Sequence, residues 1–240
     1  MKTITKYALL IITAIILMSC NLNFTGVKGN GEVTTTTRFS GKDFTSIKAS
    51  EGLNVVLTQS NNTLVKVQAD SNLQDLIITE IKDGVLILHT EKQIGKASAK
   101  KVLVHFTNLK TVKTNSGADV YTANAIKLDN IKLEASSGSQ LTLNLSTQNI
   151  ICSASSGAAI NLTGKTNTFT ASASSGSNID ADGLIAEKCT SKASSGASVD
   201  VNCKQAIDAK VSSGANIEYK GNPTEVKKSK SSGGSISATE

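Results

Sequence analysis

The sequence predicts an all-β protein built as a parallel β-solenoid with about 19 residues per coil. Two observations carry this prediction. A Ser-Ser-Gly motif, whose first copy reads Asn-Ser-Gly, recurs from residue 115 onward, and alternating apolar and polar residues follow each copy. The motif glycines are spaced 18 to 21 residues apart, which suits one solenoid coil and is too short for helical-pair repeats or propeller blades. These glycines are Gly117, Gly138, Gly157, Gly176, Gly196, Gly214 and Gly233.

Each repeat is predicted to place alternate side chains inside the coil, on two strands that meet at the glycine. Around Gly196 these inward residues include Val199 and Cys189, and Thr122 and Val226 hold the same parity in the first and last repeats. Successive side chains of a strand point to opposite faces, so this parity forms the core, and each coil needs its neighbours to complete burial. The glycine is expected to allow a positive φ at the corner. The serines are expected to hydrogen-bond backbone groups there, and one another between coils.

Residues 39–110 precede the regular repeats and also predict strands. Alternating segments such as LNVVLTQ and KVLVHFT are separated by turn signals. Gly52 is a candidate start for an earlier, less regular coil, and SNLQDLIITEI is a candidate for a helical turn. We expect the segment to continue the solenoid, with an abutting sheet as the alternative. One solenoid domain would then span 38–240, with regular repeats over 115–236.

The first twenty residues predict export and lipid attachment. A cationic start precedes an uncharged apolar run of 11 residues at 8–18, which is too short for a bilayer that needs about 20 residues. Residues 1–19 are therefore a predicted signal peptide. The run ends in Leu-Met-Ser-Cys, which resembles the bacterial lipobox, so Cys20 is the predicted lipidation site; a chance cysteine after an ordinary signal peptide is the alternative. Residues 20–37 are polar, and we expect a tether or a first edge strand there.

The residue after the cysteine bears on location. In Gram-negative lipoproteins an aspartate at this position is associated with retention in the inner membrane, and this chain has Asn21 instead. By this resemblance, we expect a lipid-anchored protein of the cell envelope, in the outer membrane.

The charge pattern argues against a nucleic-acid partner. The formal net charge is +6, and lysine supplies nearly all of the positive charge, because Arg38 is the only arginine. Bidentate arginine contacts to phosphate are therefore scarce, and aromatic residues for base stacking make up only 3% of the chain. A mildly basic solvated surface accounts better for the lysines.

The sequence offers no convincing catalytic centre. A nucleophilic serine needs a base, and both histidines, His89 and His105, lie before the repeats. We therefore assign no catalytic residue, no cofactor and no metal. Cleavage of a glycan by a β-helix enzyme is the alternative, which the lack of arginine in the repeats weakens.

Three carboxylates form a predicted ladder on the outer surface. Asp180, Asp200 and Glu218 each lie four residues after a motif glycine, on the outward parity of consecutive coils. Stacked like charges repel, so these groups either extend into water, balanced by Lys210 and Lys220, or share a cation such as Ca²⁺. We favour the solvated face.

The cysteines after Cys20 are predicted to be buried. Cys152, Cys189 and Cys203 take inward positions and do not have the spacing of a zinc site. We expect them to act as small hydrophobic residues, with a Cys189–Cys203 disulfide as the alternative.

Four features follow one another along the chain. They are FSGKDFTSIKAS with GLNVVLTQ, then VLVHFTNLKTVKTNSGADV, then the serial SSG repeats, then IEYKGNP with SSGGSI. In this order they resemble the bacterial family known as the putative auto-transporter adhesin, head GIN domain, from residue 38 to 236. The resemblance implies a right-handed parallel β-helix similar to pectin lyases without their catalytic residues, and a role in adhesion or envelope binding. It defines no functional residues.

We therefore expect a non-enzymatic, lipid-anchored binding module of adhesin type. Its expected ligand is a glycan or an extracellular or envelope protein. A glycan-active β-helix enzyme and a purely structural envelope protein are the alternatives.

Overall fold

The computed structural model describes residues 26–239, so the leader and Cys20 lie outside the described residues. Within 26–239 the chain is almost entirely β-stranded, and no helix there is long and apolar enough to cross a bilayer. Seventeen strands pair into one continuous sheet. The strands are β1 (Val33–Ser40), β2 (Ser46–Ala49), β3 (Asn54–Gln59), β4 (Leu64–Asp70), β5 (Ile77–Lys82), β6 (Val85–Thr90), β7 (Lys100–Phe106), β8 (Thr111–Thr114), β9 (Asp119–Thr122), β10 (Ile126–Ala135), β11 (Gln140–Ala154), β12 (Ala159–Ala173), β13 (Asn178–Ala193), β14 (Ser198–Val211), β15 (Asn216–Lys220), β16 (Glu225–Lys230) and β17 (Ser235–Ala238).

The repeats form the predicted parallel β-solenoid, with about seven turns of about 19 residues each. Strands β10 to β14 are long, and each pairs in parallel with the next. Equivalent repeat residues are direct partners, since Ile160 pairs with Ile179 and Ile179 with Val199. The alignment of the repeats on their glycines therefore predicts the actual strand register.

Side chains on the inward parity form one continuous core. Val199 is fully buried and Cys189 nearly so, and burial of one aliphatic side chain stabilises the fold by about 1.5–3 kcal/mol. Two predicted core positions differ. Thr122 is half-buried, because it ends β9 and its hydroxyl accepts a hydrogen bond from the Asn144 N–H at 3.1 Å. Val226 is 42% exposed, because it lies in the last described coil, which no later coil covers.

The last coil closes the end of the core with lysine side chains. Lys228 and Lys230 occupy the inward parity that aliphatic residues hold in earlier coils. The Lys228 ammonium lies 4.7 Å from the ring centroid of Tyr219, a cation–π contact. The Lys230 ammonium donates to the Ile236 carbonyl at 3.0 Å. The last described coil therefore presents a polar face, of the kind that terminal repeats of solenoids need.

Residues 39–110 combine further coils with an antiparallel cap. β2 and β3 meet at a corner containing Gly52 and pair in parallel with β8 and β9, so an earlier coil does begin there. β6 and β7 pair in parallel with the opposite edges of β2 and β3, which places this coil out of sequence order. The neighbouring strands β1, β4 and β5 are antiparallel. Both expectations for this segment, solenoid and abutting sheet, therefore hold in part, and its helical turn is the 3₁₀ helix Ser71–Leu76.

Asp70 fastens the first described residues to this cap. Its carboxylate is fully buried and accepts hydrogen bonds from the backbone N–H groups of Gly31 at 2.9 Å, Ala99 at 2.8 Å and Ser98 at 3.3 Å. Burial opposes the ionised form, but these donors outweigh it and hold the pKa of Asp70 below its usual range. Strand β1 lies alongside β4 at the edge of the sheet, so Val33–Ser40 is an edge strand.

Candidate functional site

The Ser-Ser-Gly motif forms a tight turn in which two successive residues have positive φ. In the turn 155–158, Ser156 has a φ of 53° and Gly157 one of 71°. The Ala158 N–H donates to the Ser155 carbonyl at 3.2 Å and closes the turn. Positive φ at both central residues is typical of a type I′ turn. All seven motif glycines share the conformation, with φ between 67° and 75°.

Backbone hydrogen bonds join the corners of successive coils. The Gly157 N–H donates to the Ser175 carbonyl of the next coil at 3.1 Å, and the Ser174 N–H donates back to Ala154 at 3.1 Å. Within residues 26–239 no hydroxyl of the Ser-Ser-Gly serines hydrogen-bonds another protein group, contrary to the expected hydroxyl ladder. The serines instead supply a small residue that tolerates the turn, and their hydroxyls stay free for solvent or a ligand.

The histidines lie away from these serines along the chain. His89 is in β6 and His105 in β7, both in the N-terminal coil, and both are half-buried. Within the described residues neither ring hydrogen-bonds a serine. The structure therefore assembles no serine–histidine pair from the motif.

The acidic ladder lies on the front wall, by which we mean the outward side chains of the strand segments that follow the corner glycines. Asp200 is the direct partner of Asp180 on one side and of Glu218 on the other. Lys220 forms an ion pair with the neighbouring Asp182 at 3.3 Å. Lys210, which the sequence also offered as a balancing charge, lies on another wall and pairs with Asp208 there at 3.6 Å.

Asp200, the middle carboxylate of the ladder, has an unfavourable environment for its ionised form. Partial burial, and repulsion from Glu218, Asp182 and Asp180, raise the pKa of Asp200 to about 6. Within residues 26–239 no group of three or more His, Cys, Asp or Glu side chains is placed to hold a metal ion. The solvated face therefore stays a prediction, with Lys220, in its ion pair with Asp182, as a nearby positive charge.

The back wall, formed by the outward side chains of the segments that precede the corner glycines, is basic. It carries seven lysines against three carboxylates, Glu134, Asp208 and Glu225. The lysines are Lys48, Lys113, Lys132, Lys188, Lys192, Lys210 and Lys227. The solenoid thus separates negative charge on the front wall from positive charge on the back wall.

A polar groove follows the third side of the solenoid, where the middle segments of successive coils stack. Its volume is about 790 Å³, and it spans from Gln59 and Asn108 to Glu187. The floor contains the buried pair Thr147 and Thr166, whose hydroxyls hydrogen-bond at 3.0 Å. This groove was not predicted from the sequence.

Side chains on the groove rim form a column with one member per coil. The members lie nine residues before successive glycines: Asp129, Gln148, Asn167 and Glu187. The Asn167 amide donates to the Gln148 amide oxygen at 2.5 Å, so these two rim side chains orient each other. The constant offset from the glycine was a usable sequence signal, but nothing in the sequence shows that this position borders a concavity.

The three described cysteines are buried, unbridged thiols. A hydrogen bond with Cys203 and burial raise the pKa of Cys189, and burial raises the pKa of Cys152. The Cys203 thiol donates to the Ala206 carbonyl at 2.9 Å. The expected role as small hydrophobic residues fits this packing, and the alternative Cys189–Cys203 disulfide is not formed.

The sequence matches the model of a known protein family over most of its length. The family model described as putative auto-transporter adhesin, head GIN domain, matches residues 43–223. The chain belongs to this family. The resemblance inferred from the repeats and their flanking segments is thereby confirmed, although the match begins at residue 43 and ends at residue 223, inside the predicted range of 38–236. No curated protein matches the chain.

Several solved structures share the family's fold. A putative adhesin from Bacteroides fragilis is 23% identical with a TM-score of 0.82, and the match covers 89% of this chain and 100% of that one. A putative adhesin from Parabacteroides merdae is 20% identical with a TM-score of 0.71, covering 89% and 99%. A putative lipid binding protein from Parabacteroides distasonis is 20% identical with a TM-score of 0.73, covering 89% and 99%. At these identities the likeness shows the fold alone.

Proposed function

We propose that this protein is a non-enzymatic binding module of adhesin type whose polar groove holds an extended glycan. The observation that carries the proposal is the groove of about 790 Å³ with its column of polar side chains, two of which are joined by a hydrogen bond. Successive coils repeat every 4.8 Å or so, which places a hydrogen-bonding group at regular intervals along an extended polar chain. Amide side chains both donate and accept, as sugar hydroxyls require. The family's description as an adhesin supports the same class of function.

The groove carboxylates support binding over cleavage. Asp129 and Glu187 lie in the same column three coils apart, a separation of about 14 Å at about 4.8 Å per coil. Paired carboxylates of glycoside hydrolases lie roughly 5–9.5 Å apart. The residues between them in the column, Gln148 and Asn167, are amides that transfer no proton. The glycan-active enzyme is therefore the weaker alternative.

A glycan array tests the binding proposal against both alternatives. The exported domain starting near residue 26 is applied to glycans and to extracellular matrix proteins, and the bound glycans are then analysed for shortened products. We expect binding to a set of glycans with no product. Product formation would establish the enzyme instead, and absence of binding to every glycan and matrix protein would favour the purely structural envelope protein.

Attachment to the envelope through a lipid on Cys20 is part of the proposal. Support comes from the apolar run at 8–18 and the lipobox-like Leu-Met-Ser-Cys. Each buried CH₂ of an acyl chain contributes about 0.8 kcal/mol, so several chains anchor a protein firmly. Metabolic labelling with palmitate should mark the wild type and not Cys20→Ala, and fractionation should place the label in the outer membrane. Equal labelling of the two proteins would remove the anchor from the proposal.

A further inference from the structure

A second candidate site lies on the back wall, close to the corner turns and apart from the groove. Lys192 and Lys210 are direct partners on the parallel strands β13 and β14, whose backbones lie about 4.8 Å apart. Like charges placed directly opposite each other destabilise a sheet. Neither strand is at a sheet edge, so the lysines are not needed to protect an edge from pairing.

The two lysines lack adequate internal counter-charge. Lys210 forms an ion pair with Asp208 at 3.6 Å. The side chains of Lys210 and Asp208 are exposed, so this ion pair stabilises the fold little. Within residues 26–239 Lys192 has no carboxylate within ion-pair distance. This pair of like charges is therefore only partly neutralised by the protein itself.

Other lysines of the same wall are neutralised differently. Lys113 and Lys132 both contact Glu134, at 2.7 Å and 2.5 Å. Hydrogen bonds from these two ammonium groups hold the pKa of Glu134 below its usual range. Lys113 and Lys132 thus match the other lysine pair in residue type, number and wall. They differ from it because they share a carboxylate.

Serine hydroxyls lie around this partly neutralised pair. Ser172 and Ser229 are the direct strand partners of the two lysines on their outer sides. Together with Ser194 and Ser212 of the corner turns they line a shallow depression of about 360 Å³. Within the described residues none of these four hydroxyls hydrogen-bonds another protein group, so all four can donate to a ligand.

We propose that Lys192 and Lys210 form a binding site for a phosphate monoester group. Such a group carries about −1.5 to −2 charges at pH 7, which matches two ammonium groups, and lysine binds phosphate as a point charge. Two lysines on adjacent coils reach different oxygens of one tetrahedral phosphate, and the serine hydroxyls donate to the remaining oxygens. A carboxylate carries only one charge and leaves the lysine pair half neutralised. The site shares no residue with the groove, so it stands independently of the proposed glycan binding.

Calorimetric titration of the full-length lipoprotein in neutral detergent tests this site. Inorganic phosphate is added at pH 7.5, with chloride at the same ionic strength as the reference. We expect saturable binding that the double variant Lys192→Gln/Lys210→Gln weakens by about tenfold or more, because two charge-assisted hydrogen bonds are lost. The matched control Lys113→Gln/Lys132→Gln should change the affinity by less than about twofold, since exposed charges outside the site contribute little.

The pH dependence of binding and the affinity for a short-chain phosphatidic acid provide two further tests. Binding should weaken several-fold at pH 5, because a phosphate monoester loses its second negative charge below a pKa of about 6 and inorganic phosphate is likewise singly charged at pH 5. Dihexanoyl phosphatidic acid carries the same monoester on a short lipid. Affinity well above that of inorganic phosphate assigns the site to a lipid headgroup, and equal affinity assigns it to the phosphate group alone. The proposal is overturned if the wild type shows no saturable phosphate binding, if both lysine pairs lose affinity equally, or if the affinity is unchanged at pH 5.

Discussion

Replacement of Asp200 by asparagine should stabilise the protein at neutral pH and change little near pH 4. Asp200 lies between Asp180 and Glu218 in the acidic ladder, and its pKa is raised to about 6 by partial burial and by the neighbouring carboxylates. The folded state therefore binds the proton more tightly than the unfolded chain does. Wild-type stability falls as the pH rises from about 4 to about 6, and the loss persists above that range.

The size of the gain follows from the shift in pKa. A rise from 3.8 to about 6 corresponds to about 3 kcal/mol of lost stability at about 1.4 kcal/mol per pH unit. Asp200 is only half-buried, so solvent screening reduces this figure to about 1 kcal/mol. Asparagine removes the repulsion while keeping the shape of the side chain.

Urea denaturation at pH 4 and at pH 7.5 measures the effect. The free energy of unfolding of Asp200→Asn should exceed that of the wild type by about 1 kcal/mol at pH 7.5. The two values should be nearly equal at pH 4. Asp208→Asn is the control, because Asp208 is a carboxylate outside the ladder with an exposed lysine partner, and its effect should stay within about 0.5 kcal/mol. A neutral or destabilising Asp200→Asn at pH 7.5 would refute the reasoning. Stabilisation of the wild type by Ca²⁺, lost in Asp200→Asn, would show that the ladder shares a cation after all.

Two other predictions concern the backbone turns and the N-terminal cap. Gly157→Ala should cost about 1–2 kcal/mol, because φ is positive but the new Cβ meets open space. Gly164→Ala should cost more, about 3 kcal/mol, because its Cβ would lie 2.0 Å from the Leu145 carbonyl oxygen; equal losses by urea denaturation would contradict this contrast. Asp70→Asn should lower the melting temperature at pH 7 and have little effect below the folded-state pKa of Asp70, because the stability given by a depressed carboxylate pKa is lost in acid. A loss of the same size in strong acid would show that charge is not the cause.

The repeat region was predictable because two periods agree there. Alternation along each strand sets which side chains face inward, and the spacing of the glycines sets which residues stack. Together they place Ile179 on Val199 and Asp180 on Asp200, as the structure does. The N-terminal coils offered only the first period. Alternation alone does not choose a partner strand, so the insertion of β6 and β7 beneath β2 and β3 could not be deduced.

The groove escaped prediction for a different reason. Gln148 and Asn167 stand at a constant distance before their glycines, so their stacking was within reach of the alignment. Whether a stacked column borders a concave or a flat surface depends on the path of the coil between its straight segments. Residues 146–148 and their counterparts lie in that path, and their composition does not fix its curvature. The same alignment places Lys192 beside Lys210 on the back wall, because each lies four residues before its glycine. It does not show which carboxylates reach these lysines, because that depends on side-chain geometry.

The affinity of the groove variants for a glycan selected on the array tests the central claim most directly. Gln148→Ala/Asn167→Ala removes two rim amides joined by a hydrogen bond, and Gln140→Ala/Asn161→Ala removes two amides from the front wall as a matched control. Loss of hydrogen bonds to a bound sugar costs about 0.5–1.5 kcal/mol each. We expect the groove variant to bind about tenfold more weakly, with the control unchanged. Full affinity in the groove variant, or an equal loss in the control, would contradict the assignment of ligand binding to the groove.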